Sequence, residues 1–197
     1  MVRVDRRERI VAAALHLATD GYDAVHIRTV AGLADVAPST VYQYFSSKDD
    51  VLVACLLQWL STCEPHAHAA VDGLEDPYHR LLQLADFVTA RLWAQPALAD
   101  ALTRAYLCAD SGAATNADLV RNSLSRMLAA AMGRDQPTLG QRQIGELVAD
   151  ILSSTLLALV QQRSTTADSR IRLRRTIAVL SRHDAGRCLA ASGSAAG

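Results

Sequence analysis

The segment Ile27–Leu52, IRTVAGLADVAPSTVYQYFSSKDDVL, concentrates the side chains that could do chemistry. Ser39, Thr40, Tyr42, Gln43 and Tyr44 offer hydroxyls, phenols and an amide, and Lys48, the chain's only lysine, follows at once. Hydroxyls and aromatic rims beside a fixed cation suit a nucleic-acid backbone, whose oxygens accept hydrogen bonds and carry negative charge. Nothing comparable points to catalysis. The chain has no GxSxG, no HExxH and no glycine-rich phosphate loop, so no catalytic residue and no cofactor is expected. Cys63, Glu64, His66 and His68, with Cys55 nearby, are soft metal ligands, but their spacing fits no standard zinc pattern and Pro65 falls among them. No metal site is expected.

The elements that position this segment read as helices. Arg6–Thr19 carries Ile10, Val11, Ala14, Leu15, Leu17 and Ala18 on a broad face, and Gly21 marks its end. Ile27, Val30, Ala31 and Ala34 give the next helix its buried stripe. Asp35-Val36-Ala37 is the turn. Pro38 suits the first position of the following helix, where its missing N–H is not needed. Val41 and Phe45, four apart, share the inward face, which turns Ser39, Thr40, Tyr42 and Gln43 outward and leaves Tyr44 on the flank. Ser47 can cap the next helix, with Asp49 and Asp50 in its first turn.

The same punctuation continues. Helices are expected from Val51 to about Ala70, interrupted near Pro65, then from Pro77 to about Ala94 and from Pro96 to about Ala109. Ala117–Met132 follows, with Leu119, Val120, Leu124, Met127, Leu128 and Ala131 on one face. Leu139–Arg163 is the most apolar, and Arg170–Arg182 is the last. The expected fold is all-α, with about nine helices, three of them N-terminal. A DNA-binding unit is expected over 1–50, a second helical unit, which would hold ligand-binding and dimerisation functions if the resemblance given below holds, over 51–182, and an unstructured tail over 183–197.

Composition bounds the rest. Half of the 197 residues are apolar, enough for a sizeable core. The formal net charge is zero, and Arg3, Arg6, Arg7, Arg9, Arg28 and Lys48 are offset by neighbouring aspartates and Glu8. DNA affinity would therefore rest on a few placed cations rather than a basic surface. Arg170, Arg172, Arg174 and Arg175 read as a solvated helix face. The charged start VRVDRRERI is no signal peptide, the uncharged run Ile151–Gln162 is too short to span a bilayer, and the cysteines form no CxxC pair. A cytoplasmic protein without a membrane partner is expected.

The segment Arg6–Leu52 resembles the N-terminal domain of the TetR family of transcriptional regulators. The shared features are the apolar first helix, the Gly-Tyr break, the Ile-Arg helix, the turn, Thr-x-Tyr-x-Tyr-Phe and Ser-Lys. That resemblance implies that Arg28 and Thr29 reach base edges or phosphate, and that Pro38, Ser39, Thr40 and Gln43 face the major groove. It implies that Tyr42, Tyr44 and Lys48 hold phosphates. His26, Asp35, Ala37 and Ser39 depart from the commonest residues of the pattern. LTRAYLCADSGAATNADLVRNSLSRMLAAAM, Leu102–Met132, resembles actinobacterial repressors of sterol and cholesterol catabolism within that family, which implies an acyl-CoA thioester as effector.

Leu81, Leu84, Phe87, Val88, Trp93, Leu102, Tyr106, Leu124 and Met127 recur at helical spacing and are compatible with a large apolar ligand, though ordinary core explains each as well. Arg91, Arg104, Arg121 and Arg126 could meet a carboxylate or CoA phosphates, Arg104 foremost because it lies among Leu102, Ala105 and Tyr106, though a solvated helix face explains each arginine alone better. Leu139–Arg163 is apolar on more than one face and needs a partner. By resemblance it joins 170–182 in a two-fold dimer, whose recognition helices would meet a near-palindromic operator about one DNA turn apart, roughly 34 Å, or a near multiple of it. The expected function is a homodimeric repressor released by an apolar effector. The alternatives are a metal- or drug-responsive regulator of the same type, or a helical lipid-binding protein without DNA function.

Overall fold

The computed structural model describes residues 5–133 and 136–193, the last nine of them as backbone only. Nine α-helices and no strand are present among the described residues. They are α1 (Arg6–Ala18), α2 (Ile27–Leu33), α3 (Pro38–Tyr44), α4 (Lys48–Ala69), α5 (Pro77–Trp93), α6 (Pro96–Leu107), α7 (Ala114–Gly133), α8 (Leu139–Val160) and α9 (Thr166–Gly193). A 3-10 turn, Tyr22–Ala24, joins α1 to α2.

The chain divides into two compact units. Residues 1–67 and 88–124 form one, and 68–87 and 125–197 form the other. Helices α5 and α7, and α4 by its last two residues, therefore contribute to both. In the first unit α1, α2 and α3 close around Ile10, Ala14, Val25, Val30, Val41 and Phe45, each no more than 2 % exposed. Gly21, at φ +105°, ends α1 in a backbone conformation that a side chain would resist. Asp35, at φ +52°, makes the α2–α3 turn left-handed, which aspartate tolerates better than most residues.

In the second unit Gly145 brings α8 against α7, where a Cβ would lie 2.7 Å from the Ser125 carbonyl oxygen. Arg80 is buried, and its partners are four carbonyl oxygens. It donates to Ala131 at 2.6 Å and to Met132, in the last turn of α7, and to Leu74 and Glu75 at 2.9 and 2.6 Å. A cation there meets the negative end of the helix and satisfies carbonyls the helix leaves open.

Several boundaries differ from the sequence reading. α4 runs unbroken through Pro65, which falls in its last turns, so the missing N–H removes one bond while buried Cys63 and Ala67 hold the helix on either side. α7 starts three residues early because the Asp110 carboxylate accepts from the backbone N–H of Gly112 and Ala113. Leu119, placed on its inner face by periodicity, is 46 % exposed. α8 stops at Val160, ahead of Gln162 at φ +55°. Its start is fixed by a capping box between Thr138 and Gln141. α9 begins at Thr166 and continues to Gly193, through most of the stretch expected as a tail. Residues 194–197 lie outside the described residues. Arg170 and Arg174 are not merely solvated, since both meet Asp86, at 2.8 and 3.8 Å.

Helix α8 is the one helix among the described residues long and apolar enough to cross a membrane, by length and composition only. Only 28 % of that apolar window is buried.

Candidate nucleic-acid interface

Helix α3 is seven residues long and has one inward stripe. Val41 and Phe45 are 0 % and 2 % exposed, which anchors the helix and aims its other residues outward. Ser39, Gln43, Tyr42 and Tyr44 are exposed, the two tyrosines at 59 % and 40 %, and Thr40 is half-buried. Arg28 and Thr29 are exposed on α2. Among the described residues no hydrogen bond or ion pair ties up any of these side chains. Large phenols held in water with idle hydroxyls are costly as surface and useful as contacts. Neither short helix has a side-chain cap, because His26 and Ala37 hold those positions without a bond, and Pro38 opens α3 as expected.

The start of α4 is more elaborate. A lysine in the first turn of a helix faces the positive end of the peptide dipoles, an unfavourable place for a cation. Here the Lys48 ammonium lies 3.7 Å from the centre of the Tyr22 ring, whose electron-rich face offsets that repulsion. The Tyr22 hydroxyl donates to Asp49 Oδ1 at 2.7 Å. Burial, the bond to Asp49 and the charge of Asp49 push the Tyr22 phenol up to about 12. Burial lowers Lys48 below the ordinary lysine range, against the pull of Asp23 and Asp49, and Arg104 lowers it further.

Arg104 is therefore not placed solely among apolar residues. Its guanidinium lies 5.3 Å from the Tyr22 ring centre and 3.5 Å from Asp100. The other effector candidates fall in separate units. Val88, Leu102 and Leu124 are buried and Trp93 and Tyr106 half-buried in the first unit, while Leu81, Leu84 and Met127 are buried and Phe87 half-buried in the second. Trp93 Nε1 and Thr103 Oγ1 are buried without a hydrogen-bond partner among the described residues. Thr103 was not singled out from sequence, since a lone threonine in an apolar helix carries no pattern. Cys55 and Cys63 are both buried, which pushes Cys55 up to about 12 and raises Cys63. His66 is exposed and bonded to the Thr62 carbonyl. Among the described residues no three His, Cys, Asp or Glu side chains are grouped to hold a metal.

Residues 10–55 match the family of bacterial regulatory proteins described as the tetR family, and 75–180 match the tetracyclin repressor-like C-terminal domain. The chain belongs to the TetR family. Its relatives include the HTH-type transcriptional repressor KstR of Mycobacterium tuberculosis, 35 % identical over 170 residues, 86 % of this chain and 77 % of that one. A TetR regulator from Rhodococcus sp. RHA1 shares its fold with a TM-score of 0.78 at 23 % identity, over 91 % of this chain and 97 % of that one. FadR of Bacillus subtilis, solved with stearoyl-CoA, shares the fold with a TM-score of 0.56 at 17 % identity, over 87 % and 96 %. This TetR-family protein is a DNA-binding transcriptional repressor similar to KstR, and not an enzyme. The α2–α3 pair is the helix-turn-helix of the TetR N-terminal domain.

Proposed function

We propose that the chain acts as a cytoplasmic homodimer on a near-palindromic operator, which it leaves when a large apolar effector binds its C-terminal helices. The observation that carries the DNA contacts is the set of exposed, unbonded side chains on α2 and α3. Arg28, Thr29, Pro38, Ser39, Thr40 and Gln43 are the readers in this proposal. Tyr42, Tyr44 and Lys48 hold phosphates. Lys48 must leave the Tyr22 ring, or share it, to do so.

Exposed apolar residues on α8 and α9 favour the dimer. Leu139, Leu147, Ile171 and Val179 are 72 %, 52 %, 49 % and 56 % exposed. Apolar surface of that kind on two neighbouring helices suits a second copy of itself. Leu147→Glu with Val179→Glu should give a monomer in sedimentation and lose operator binding. A doubly substituted dimer would move the interface elsewhere.

The effector in this proposal is an acyl-CoA thioester from sterol or lipid breakdown. The stearoyl-CoA in the Bacillus subtilis FadR structure, which shares this fold, supports that class, and the resemblance of Leu102–Met132 to sterol-catabolism repressors suggests the sterol type. The idle Trp93 Nε1 and Thr103 Oγ1 supply donors for a polar group on an otherwise apolar molecule. Stearoyl-CoA and the CoA thioester of a sterol side-chain acid should each be titrated against the protein–operator complex. Release by the sterol thioester alone is the expected result. Release by neither would remove the acyl-CoA assignment and leave the DNA reading standing.

A further inference from the structure

The first turn of α4 contains a carboxylate that serves two distant parts of the chain. Asp50 is 5 % exposed. Its backbone N–H donates to Ser47 Oγ at 3.1 Å, an ordinary helix cap. Its Oδ2 accepts from the Ser46 backbone N–H at 2.8 Å and from Ser46 Oγ at 3.2 Å. Those bonds fasten the junction that follows α3. The other oxygen, Oδ1, accepts from Asn116 Nδ2 at 2.6 Å. Asn116 stands in the first turn of α7, 66 positions along the chain.

The amide of Asn116 is fixed at both ends. Its Oδ1 accepts from the Arg7 guanidinium at 3.2 Å, and that guanidinium lies 5.2 Å from the centre of the Phe45 ring. A flipped amide would set NH2 against guanidinium and oxygen against carboxylate, so only one orientation satisfies all three groups. A second contact reaches the same junction. A Cβ on Gly112 would come 2.6 Å from Ser46 Oγ. Every one of these residues belongs to the first compact unit.

We propose that Asn116 is a positioning residue for operator recognition. Through Asp50 it locks the α3–α4 junction, and with it the recognition helix, to the first turn of α7. This rests on the DNA reading of α3 above. A helix cap alone would need only the local bonds to Ser46 and Ser47. The bond to Asn116 adds a long-range tie, and a buried carboxylate cannot lose a donor without its remaining partners moving or water entering. Helix α7 continues without a break to Gly133, and from Ser125 onward it belongs to the second unit. A ligand that displaces the start of α7 therefore acts on the recognition helix through the Asn116–Asp50 bond, beside the close approach of Gly112 to Ser46. It biases DNA affinity by as much as it prefers the displaced state.

The test exchanges donor and acceptor. Asn116→Asp keeps the acceptor for Arg7 but sets a second carboxylate against Asp50. Asp50→Asn combined with Asn116→Asp reverses the pair. The amide at position 50 still accepts from Ser46 and now donates to the carboxylate at position 116, which still holds Arg7. Asn116→Ala removes the donor without adding charge. Binding is read by fluorescence anisotropy on a labelled duplex that the wild-type protein enriches from a random pool, at a temperature where circular dichroism shows each variant folded. Asn116→Asp should bind on the order of tenfold more weakly, Asn116→Ala should lose part of that, and the double variant should return close to wild type. Asn116→Ala binding as tightly as wild type would overturn the proposal, as would a folded double variant as weak as Asn116→Asp. A wild-type protein that enriches no duplex would instead overturn the DNA reading, and this proposal with it.

Discussion

The Lys48 ammonium sits 3.7 Å above the ring of Tyr22, and the hydroxyl of that ring is held by Asp49, the residue next to the lysine. One tyrosine thus steadies two neighbours at the mouth of α4. Its pH dependence can be given a sign. The Tyr22 pKa is raised to about 12 in the folded protein, against an unfolded value of about 10. Folding therefore favours the protonated phenol, and the stability it contributes is full below pH 10 and lost as pH rises through 12. Tyr22→Phe should flatten the alkaline limb of stability between those values, read as urea midpoints at pH 9 and pH 11. Absorbance of the ionised phenol near 295 nm should show one tyrosine fewer titrating late. An unchanged alkaline limb would mean that burial and Asp49 do not hold the Tyr22 phenol protonated in the folded protein.

Lys48→Ala should weaken binding to every duplex alike, and lower the slope of log affinity against log salt by about 0.9 per lost phosphate contact. Tyr42→Phe and Tyr44→Phe should also weaken binding uniformly. Ser39→Ala and Gln43→Ala should change which duplex is preferred in the selection. Equal losses on all sequences for Ser39 and Gln43 would reassign them to the backbone.

The helix-turn-helix was legible because it is built from local signals. Val41 and Phe45 four apart, Pro38 at a helix start and a turn residue at Asp35 each act within a few positions, and each is where periodicity placed it. The tie from Asp50 to Asn116 was not legible, because sequence spacing carries no information about residues brought together by tertiary packing. Asp50 showed only its capping role, and Asn116 showed nothing. Arg104 was assigned by its apolar neighbours along the helix, while its side chain follows Asp100 and Tyr22. Leu119 repeats that lesson, since a helical stripe defines a face but not how far that face is covered.

Arg80 should be the most sensitive arginine for stability. Replacing it with leucine strands four carbonyl oxygens, two of them in the last turn of α7. A loss of about 3 kcal/mol or more is expected in urea unfolding. Arg80→Lys should recover little, because an ammonium cannot fan out to four acceptors. A loss under about 1 kcal/mol for Arg80→Leu would mean that water replaces the guanidinium.

Two glycines give opposite expectations. Gly145→Ala sets a Cβ 2.7 Å from the Ser125 carbonyl oxygen and 3.0 Å from the Ala129 nitrogen, both backbone, and should cost about 1–3 kcal/mol. Gly32→Ala, in α2 with nothing within 4 Å, should instead stabilise by about 0.4–1 kcal/mol. Thermal midpoints moving in the same direction for both would contradict this packing.

The close seat of Gly145 also governs stiffness. Where two helices are separated by side chains, they can slide by repacking rotamers. Where backbone meets backbone, as at Ser125, Ala129 and Gly145, no soft layer exists to absorb a shift. At this crossing α7 and α8 therefore cannot slide past one another by changing rotamers alone, and any relative movement must shift backbone.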